Sequence, residues 1–162
     1  MTERGATDRK YLVLGVGNTL LSDDGAGVHV ATALRSRIDL SPRIKIIDGG
    51  TLGLSLLPEI EDAAGLIVVD AAELGLQPGA IRVFEDEAMD RHLSGKKRTV
   101  HEVAVADLLA AATMTGHAPQ ERALVAIQPE STDWGLEPTA GIRSAIAGAA
   151  DAVASVVERW SA

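Results

Sequence analysis

An aspartate pair, Asp23-Asp24, follows a glycine-rich turn that ends the apolar run Tyr11-Leu-Val-Leu-Gly15-Val-Gly17-Asn18. Two further acids close later apolar runs: Asp48 ahead of Gly49-Gly50, and Asp70 ahead of Ala71-Ala72. A histidine, His101, stands in Thr99-Val-His101-Glu102. Two carboxylates and one neutral imidazole suit a borderline divalent cation and leave coordination positions open for a substrate. Asp24, Asp70 and His101 are therefore a candidate three-ligand metal site. Each also has a structural reading: an Asp at a strand end makes a turn or caps a helix, and an inward His is core packing.

The Thr99-x-x-Glu102 spacing is that of a capping box, with Thr99 bonding the Glu102 amide and Glu102 reaching back. It places His101 in a first helical turn, in line with Val105, Leu108 and Ala112 and so facing inward. Partial positive charge at a helix N-terminus disfavours imidazolium, leaving an imidazole able to ligate. The other histidines read as structural or solvated. His29 falls on the polar side of the first helix, His92 in a charged loop, and His117 behind Gly116, a C-cap glycine. Asp23 and Asp24 cannot both cap one helix, and Gly25 and Gly27 weaken its first turns by roughly 1 kcal/mol each against Ala.

These residues need elements to hold them. Apolar runs bounded by turn residues predict strands over Tyr11–Val16, Arg43–Asp48, Gly65–Asp70, Ala80–Glu85 and Ala123–Gln128. Three are nearly continuous Val, Leu and Ile, as in strands buried on both faces. Helical stripes lie between them: Gly27, Val30, Ala31, Leu34 and Ile38; then Val105, Leu108, Leu109 and Ala112; then Ile142, Ile146, Ala149, Val153, Val157 and Trp160. Pro58 weakens the helical reading of Leu52–Asp62. Asp86–Thr99 is charged and poorly periodic, and reads as a loop beside the site, with Gly95-Lys-Lys-Arg98 a solvated turn. The alternation predicts an α/β fold: a three-layer sandwich whose twisted, mostly parallel five-stranded sheet has helices on both faces. Such sheets bind ligands beyond the C-terminal ends of their strands, where Asp24, Asp48 and Asp70 fall. Residues 1–10 read as a flexible tail and 11–162 as a single domain.

Composition bounds the function. The 162 residues suit one domain, and 46% hydrophobic content with two Trp, one Tyr and one Phe implies an aliphatic core. A net charge of −8 argues against a nucleic-acid partner. The absence of cysteine excludes disulfides, thiolate zinc sites and a cysteine nucleophile. Met1–Lys10 lacks a signal peptide's apolar core, and Ala63–Ala72, interrupted by Asp70, is too short to cross a bilayer. A cytoplasmic protein without a membrane partner is expected. Leu20 stands where a dinucleotide-binding turn needs its third glycine, and two acids follow where pyrophosphate would sit. Val105 replaces the second histidine of a zinc-protease HExxH helix, and no Gly-x-Ser-x-Gly elbow occurs. A hydrolase on this chain needs metal-activated water.

The chain resembles the hydrogenase maturation proteases, which trim the large subunit of nickel–iron hydrogenases. The resemblance is carried by Gly15-x-Gly17-Asn18-x-Leu20-x-x-Asp23-Asp24-Gly25-x-Gly27, by Asp48-Gly49-Gly50-Thr51, and by Leu66-Ile-Val-Val-Asp70-Ala71. It continues with His101 ahead of Ala106-Asp107-Leu108-Leu109, and with Gln128-Pro129-Glu130 before Gly135-Leu136-x-Pro138. Order and spacing hold from about Tyr11 to Trp160. The resemblance implies an aspartyl-type endopeptidase with a metal-binding triad at Asp24, Asp70 and His101. It implies as substrate a precursor with its nickel inserted, losing a short C-terminal peptide. Nickel is then the recognition element, no tightly held cofactor is expected, and cadmium or zinc is expected to substitute at the open triad. Asn18, Asp48, Gly49 and Gly50 are expected to line the substrate groove, the glycines admitting an extended peptide close to the backbone. A monomer is expected.

Two other functions remain compatible with the residues. One is a non-catalytic nickel-binding checkpoint or chaperone for the same subunit, since no nucleophile is recognisable. The other is a small nucleotide-binding domain, which predicts stabilisation by a dinucleotide.

Overall fold

The computed structural model describes residues 9–50, 53–95 and 99–162. Residues 1–8 of the expected tail over 1–10, residues 96–98 of the expected turn over 95–98, Thr51 of the Asp48-Gly49-Gly50-Thr51 motif and Leu52 of the Leu52–Asp62 segment lie outside the described residues. Five strands share one sheet: β1 (Tyr11–Val16), β2 (Ile44–Gly50), β3 (Gly65–Ala71), β4 (Ile81–Glu85) and β5 (Glu121–Ile127). Their order is β2-β1-β3-β5-β4; β4 alone runs antiparallel, against β5. The expected mostly parallel sheet is present, with strand ends shifted by one or two residues.

The pleat divides the core. Leu12, Leu14, Leu66, Val68 and Leu124 face one side. There they meet Ile60 of α2 (Leu57–Asp62), Met89 and Leu93 of α3 (Glu87–Leu93), and Val105 and Leu108 of α4 (Val100–Met114). Val13, Ile67, Val69 and Val125 face the other side, against Val30 and Leu34 of α1 (Ala26–Leu34) and Val153 and Val157 of α5 (Ala140–Ser161). Period-two strands between period-3.6 helices thus form three layers. All seven residues of β3 are buried, which explains its unbroken apolar sequence.

Two expectations change. The Asp86–Thr99 segment is not one loop, because α3 forms within it and buries Met89 and Leu93 four residues apart. The first helix ends at Leu34, leaving Ile38 exposed beyond it rather than on its apolar stripe. By length and composition alone α5 is long and apolar enough to cross a bilayer. Its apolar side, from Ile142 through Ala149 to Val157, is instead buried in the core.

The chain leaves β1 for β2 on one side and returns to β3 on the other. Connections therefore diverge between the C-terminal ends of β1 and β3, opening a crevice at that switch point.

Candidate active site

Gly17 follows β1 with φ +137°, a conformation that strains any L side chain, and a Cβ there would collide with the Asp24 carbonyl oxygen. The chain then turns through a 3₁₀ segment, Ser22–Gly25, into α1. Neither aspartate caps α1, whose N-cap is Gly25. Asp23 is fully buried and accepts four hydrogen bonds. These come from the amides of Glu130 (2.9 Å), Ser131 (3.1 Å) and Thr139 (2.7 Å), and from the Thr139 hydroxyl (2.8 Å). Burial pushes the Asp23 carboxyl up, but these donors outweigh it and hold the group below its ordinary range. It is a staple between the β1–α1 and β5–α5 connections.

Asp24 has a different neighbour set. Its Oδ2 accepts the Asn18 amide at 3.0 Å and lies 3.0 Å from His101 Nε2. Thr99 caps α4 as expected, its hydroxyl accepting from the amides of His101 and Glu102. The carboxylate of Glu102 does not reach back, however. Buried, it lies 3.1 Å from His92 Nε2. His92 is accordingly structural, but on α3 rather than in a charged loop, and it stacks on Phe84 with ring centroids 4.5 Å apart. The pair ties α3 to the turn carrying His101. His29, expected on the polar side of α1, is half-buried, and its Nε2 lacks a partner among the described residues. Gly116 has φ +77° and ends α4, the His117 amide bonding the Ala112 carbonyl as in a Schellman cap.

Asp70 is the last residue but one of β3 and is 1% exposed. Its Oδ1 is buried with no hydrogen-bond partner among the described residues. Burial, then the negative charges of Asp24 and Glu102, push its carboxyl well above the ordinary range, while the Ala71 amide acts the other way. Asp24 and His101 are thus in direct contact, and Asp70 lies within electrostatic reach. Among the described residues, though, no three carboxylate or imidazole side chains are gathered as a ready-made metal cage. Asp24 Oδ2 is engaged with His101 and not with Asp70. The donor set nonetheless fits a cation: two carboxylates, one imidazole, and a buried oxygen with lone pairs unused.

Asn18, Asp48 and Gly50 line one groove with Gly17, Leu20 and Val28. Asp48 is exposed, and its Oδ1 accepts the Gly50 amide at 2.9 Å, so part of its role is to shape the turn. Gly50 needs its φ of +43°, and Gly49 is buried. Sequence reasoning gave no role to Asp23 or to the His92–Glu102 pair. Gln128 was noticed only as part of a motif. Its Oε1 accepts the Leu74 amide at 2.7 Å and its Nε2 donates to Glu73 at 3.0 Å, fixing the loop after β3.

The sequence model of the hydrogenase maturation protease family matches residues 28–159. The chain belongs to that family. The match takes in Asp70 and His101, and Asp24 lies just ahead of it. The chain is 37% identical over 152 residues to the hydrogenase expression/formation protein HupD of Rhizobium leguminosarum bv. viciae, spanning 93% of this chain and 75% of that one. It is 38% identical over 133 residues to the hydrogenase 2 maturation protease of Escherichia coli K12, covering 80% of each. The solved structure of the hydrogenase maturating endopeptidase HYBD from E. coli matches with a TM-score of 0.83 at 30% identity, over 93% of both chains. The family protein is accordingly an endopeptidase of hydrogenase maturation.

Proposed function

We propose that this endopeptidase removes the C-terminal peptide from the large-subunit precursor of a nickel–iron hydrogenase after nickel insertion. Asp24, Asp70 and His101 are the residues that touch the substrate's nickel. What supports this is the hydrogen-bonded Asp24–His101 pair beside a buried Asp70 oxygen without a partner. A metal already carried by the substrate would complete such a set, so the nickel serves as recognition element and fixes the register of the scissile bond. Asp24 and His101 are also placed to take a proton from attacking water, in keeping with an aspartyl-type reaction without a nucleophilic side chain. Asn18 orients Asp24 through its amide, and the turn at Asp48-Gly49-Gly50 admits the peptide beside it. We assign the reaction to a cytoplasmic monomer.

Intact-mass spectrometry of a cognate precursor, with and without nickel, tests the reading. Loss of one C-terminal peptide from the nickel-loaded form alone is expected, and Asp24→Asn, Asp70→Asn and His101→Ala should each abolish it. Cleavage by all three variants would overturn the site assignment. A stable complex without any mass change would favour the non-catalytic checkpoint.

A further inference from the structure

Folding gives no use to the side chain of Trp134. It is 82% exposed, in the connection from β5 to α5, and Leu136 beside it is 74% exposed. Neither sits in a loose segment. Asp23 pins the connection at Glu130, Ser131 and Thr139. Ser22 pins the middle: its hydroxyl donates to the Asp133 carbonyl at 2.8 Å, and its amide to the Gly135 carbonyl at 2.9 Å. Ser22 holds φ +51° to do so, a left-handed conformation uncommon for serine. The Gly135 amide returns a bond to Leu20, and Leu21 pairs with Gly135 as a parallel bridge. Leu20, Trp134 and Leu136 therefore stand on a rigid ledge of two paired segments. A solvent-exposed Trp on preordered backbone is the residue type and setting in which binding energy concentrates, because little ordering remains to oppose association.

The ledge joins the active site directly. The Leu20 amide bonds Asn18 Oδ1 at 2.9 Å, and the Asn18 amide bonds Asp24. Further exposed apolar residues, Val100 and Val103, stand on the first turns of α4 next to His101 in the chain. Charge narrows the occupant. Glu137 beside Leu136 is paired with Arg143 at 2.7 Å, but the exposed acids Glu130 and Asp133 also edge the ledge, on a chain of net charge −8. They would repel an anionic membrane surface and a second copy of the same face. A folded protein whose scissile segment reaches Asp24 arrives next to the ledge, since Leu20 is joined to Asp24 through Asn18.

We propose that Leu20, Trp134 and Leu136 form the docking ledge for the folded large-subunit precursor, so that specificity for the whole protein lies beside the catalytic pair; this rests on the substrate assigned above. The test measures processing of nickel-loaded precursor by intact mass over a range of precursor concentrations, with the Kd of the complex measured separately. Variants are Trp134→Glu, Leu136→Glu and the conservative Trp134→Phe, with Ile38→Glu and Met114→Glu as exposed apolar controls away from the site. Trp134→Glu and Leu136→Glu should raise KM and Kd about tenfold or more with kcat nearly unchanged. Trp134→Phe should recover most of the loss, the controls should match wild type, and all should keep the wild-type melting temperature. Wild-type KM in both ledge variants, or a fall in kcat alone, would overturn the ledge while the peptidase reading stands. If the wild type binds without cutting, the peptidase reading fails and Kd still decides the ledge. Loss of a wild-type dimer on Trp134→Glu would give the ledge to a second copy and overturn the proposal.

Discussion

Replacing Asp23 by Asn should cost this protein several kcal/mol although shape and volume are conserved. Four donors converge on the carboxylate, three on Oδ2 and one on Oδ1. An asparagine must place an NH₂ group against either the three or the one. The milder choice loses the 2.7 Å bond to the Thr139 amide and sets two donors face to face in a fully buried position. Hydrogen bonds to a charged group contribute roughly 1.5–3 kcal/mol each, and a buried donor left unpaired costs about 1–3 kcal/mol. We expect a loss of about 3 kcal/mol. At roughly 2–4 °C per kcal/mol for a chain of this size, the melting temperature falls by about 6–12 °C at pH 7.

The same carboxyl sets a pH dependence. Its folded-state value lies below the unfolded one, near 3.9, so its stabilisation is complete above about pH 4. That stabilisation is lost as the pH falls through the lower folded-state value. The gap between wild type and Asp23→Asn should therefore be constant from pH 5 to 8 and narrow in stronger acid. Melts followed by circular dichroism at a series of pH values read both effects. A variant melting within about 2 °C of wild type at pH 7 would refute the staple, and a gap that widens in acid would refute the sign.

Gly17→Ala should destabilise by about 2 kcal/mol or more, since it combines a strained φ with a clash against the Asp24 carbonyl, and processing should fall with it. Asp70→Asn replaces a carboxyl that burial already pushes towards its neutral form; we expect about 1 kcal/mol of added stability at pH 7 in thermal melts without metal, alongside lost processing. His92→Ala should cost about 1–3 kcal/mol by stranding the buried Glu102, and in urea titrations Glu102→Gln on that background should recover part of it. Ni²⁺, Cd²⁺ or Zn²⁺ at about 100 times its Kd should stabilise the wild type by about 2.7 kcal/mol, and differential scanning fluorimetry should show that shift gone in His101→Ala.

What the sequence exposes depends on how local the cause is. β3 is legible because all of its residues are buried, so no polar position interrupts Leu66–Val69. His101 is legible because the cap that orients it, Thr99, lies two residues away. Helix α3 is obscured because only Met89 and Leu93 of its seven residues are buried, too few to establish a period. The roles of Glu102 and His92 depend on Phe84 stacking from another element, and a capping-box reading of Glu102 is locally just as good. Asp23 is the extreme case, since its four donors lie 107 to 116 residues away.

That separation explains why two identical, adjacent side chains have opposite fates. A crevice at a switch point is walled by connections, and connections have no ladder of their own to hold them. One aspartate is satisfied completely, which makes the β1–α1 and β5–α5 connections a single rigid body. The next aspartate is then carried into the crevice at a fixed place, within reach of His101 and of the Asp70 charge. Asp70 cannot retreat, because β3 is paired on both sides by β1 and β5. Asp70 is therefore held beside the Asp24 charge, where burial and that charge favour its neutral form, and its Oδ1 stays unpaired among the described residues. A positively charged centre brought to this position would favour the ionised form of Asp70 again. The cost of burying that carboxyl is what a cation carried by the proposed nickel-loaded substrate would offset.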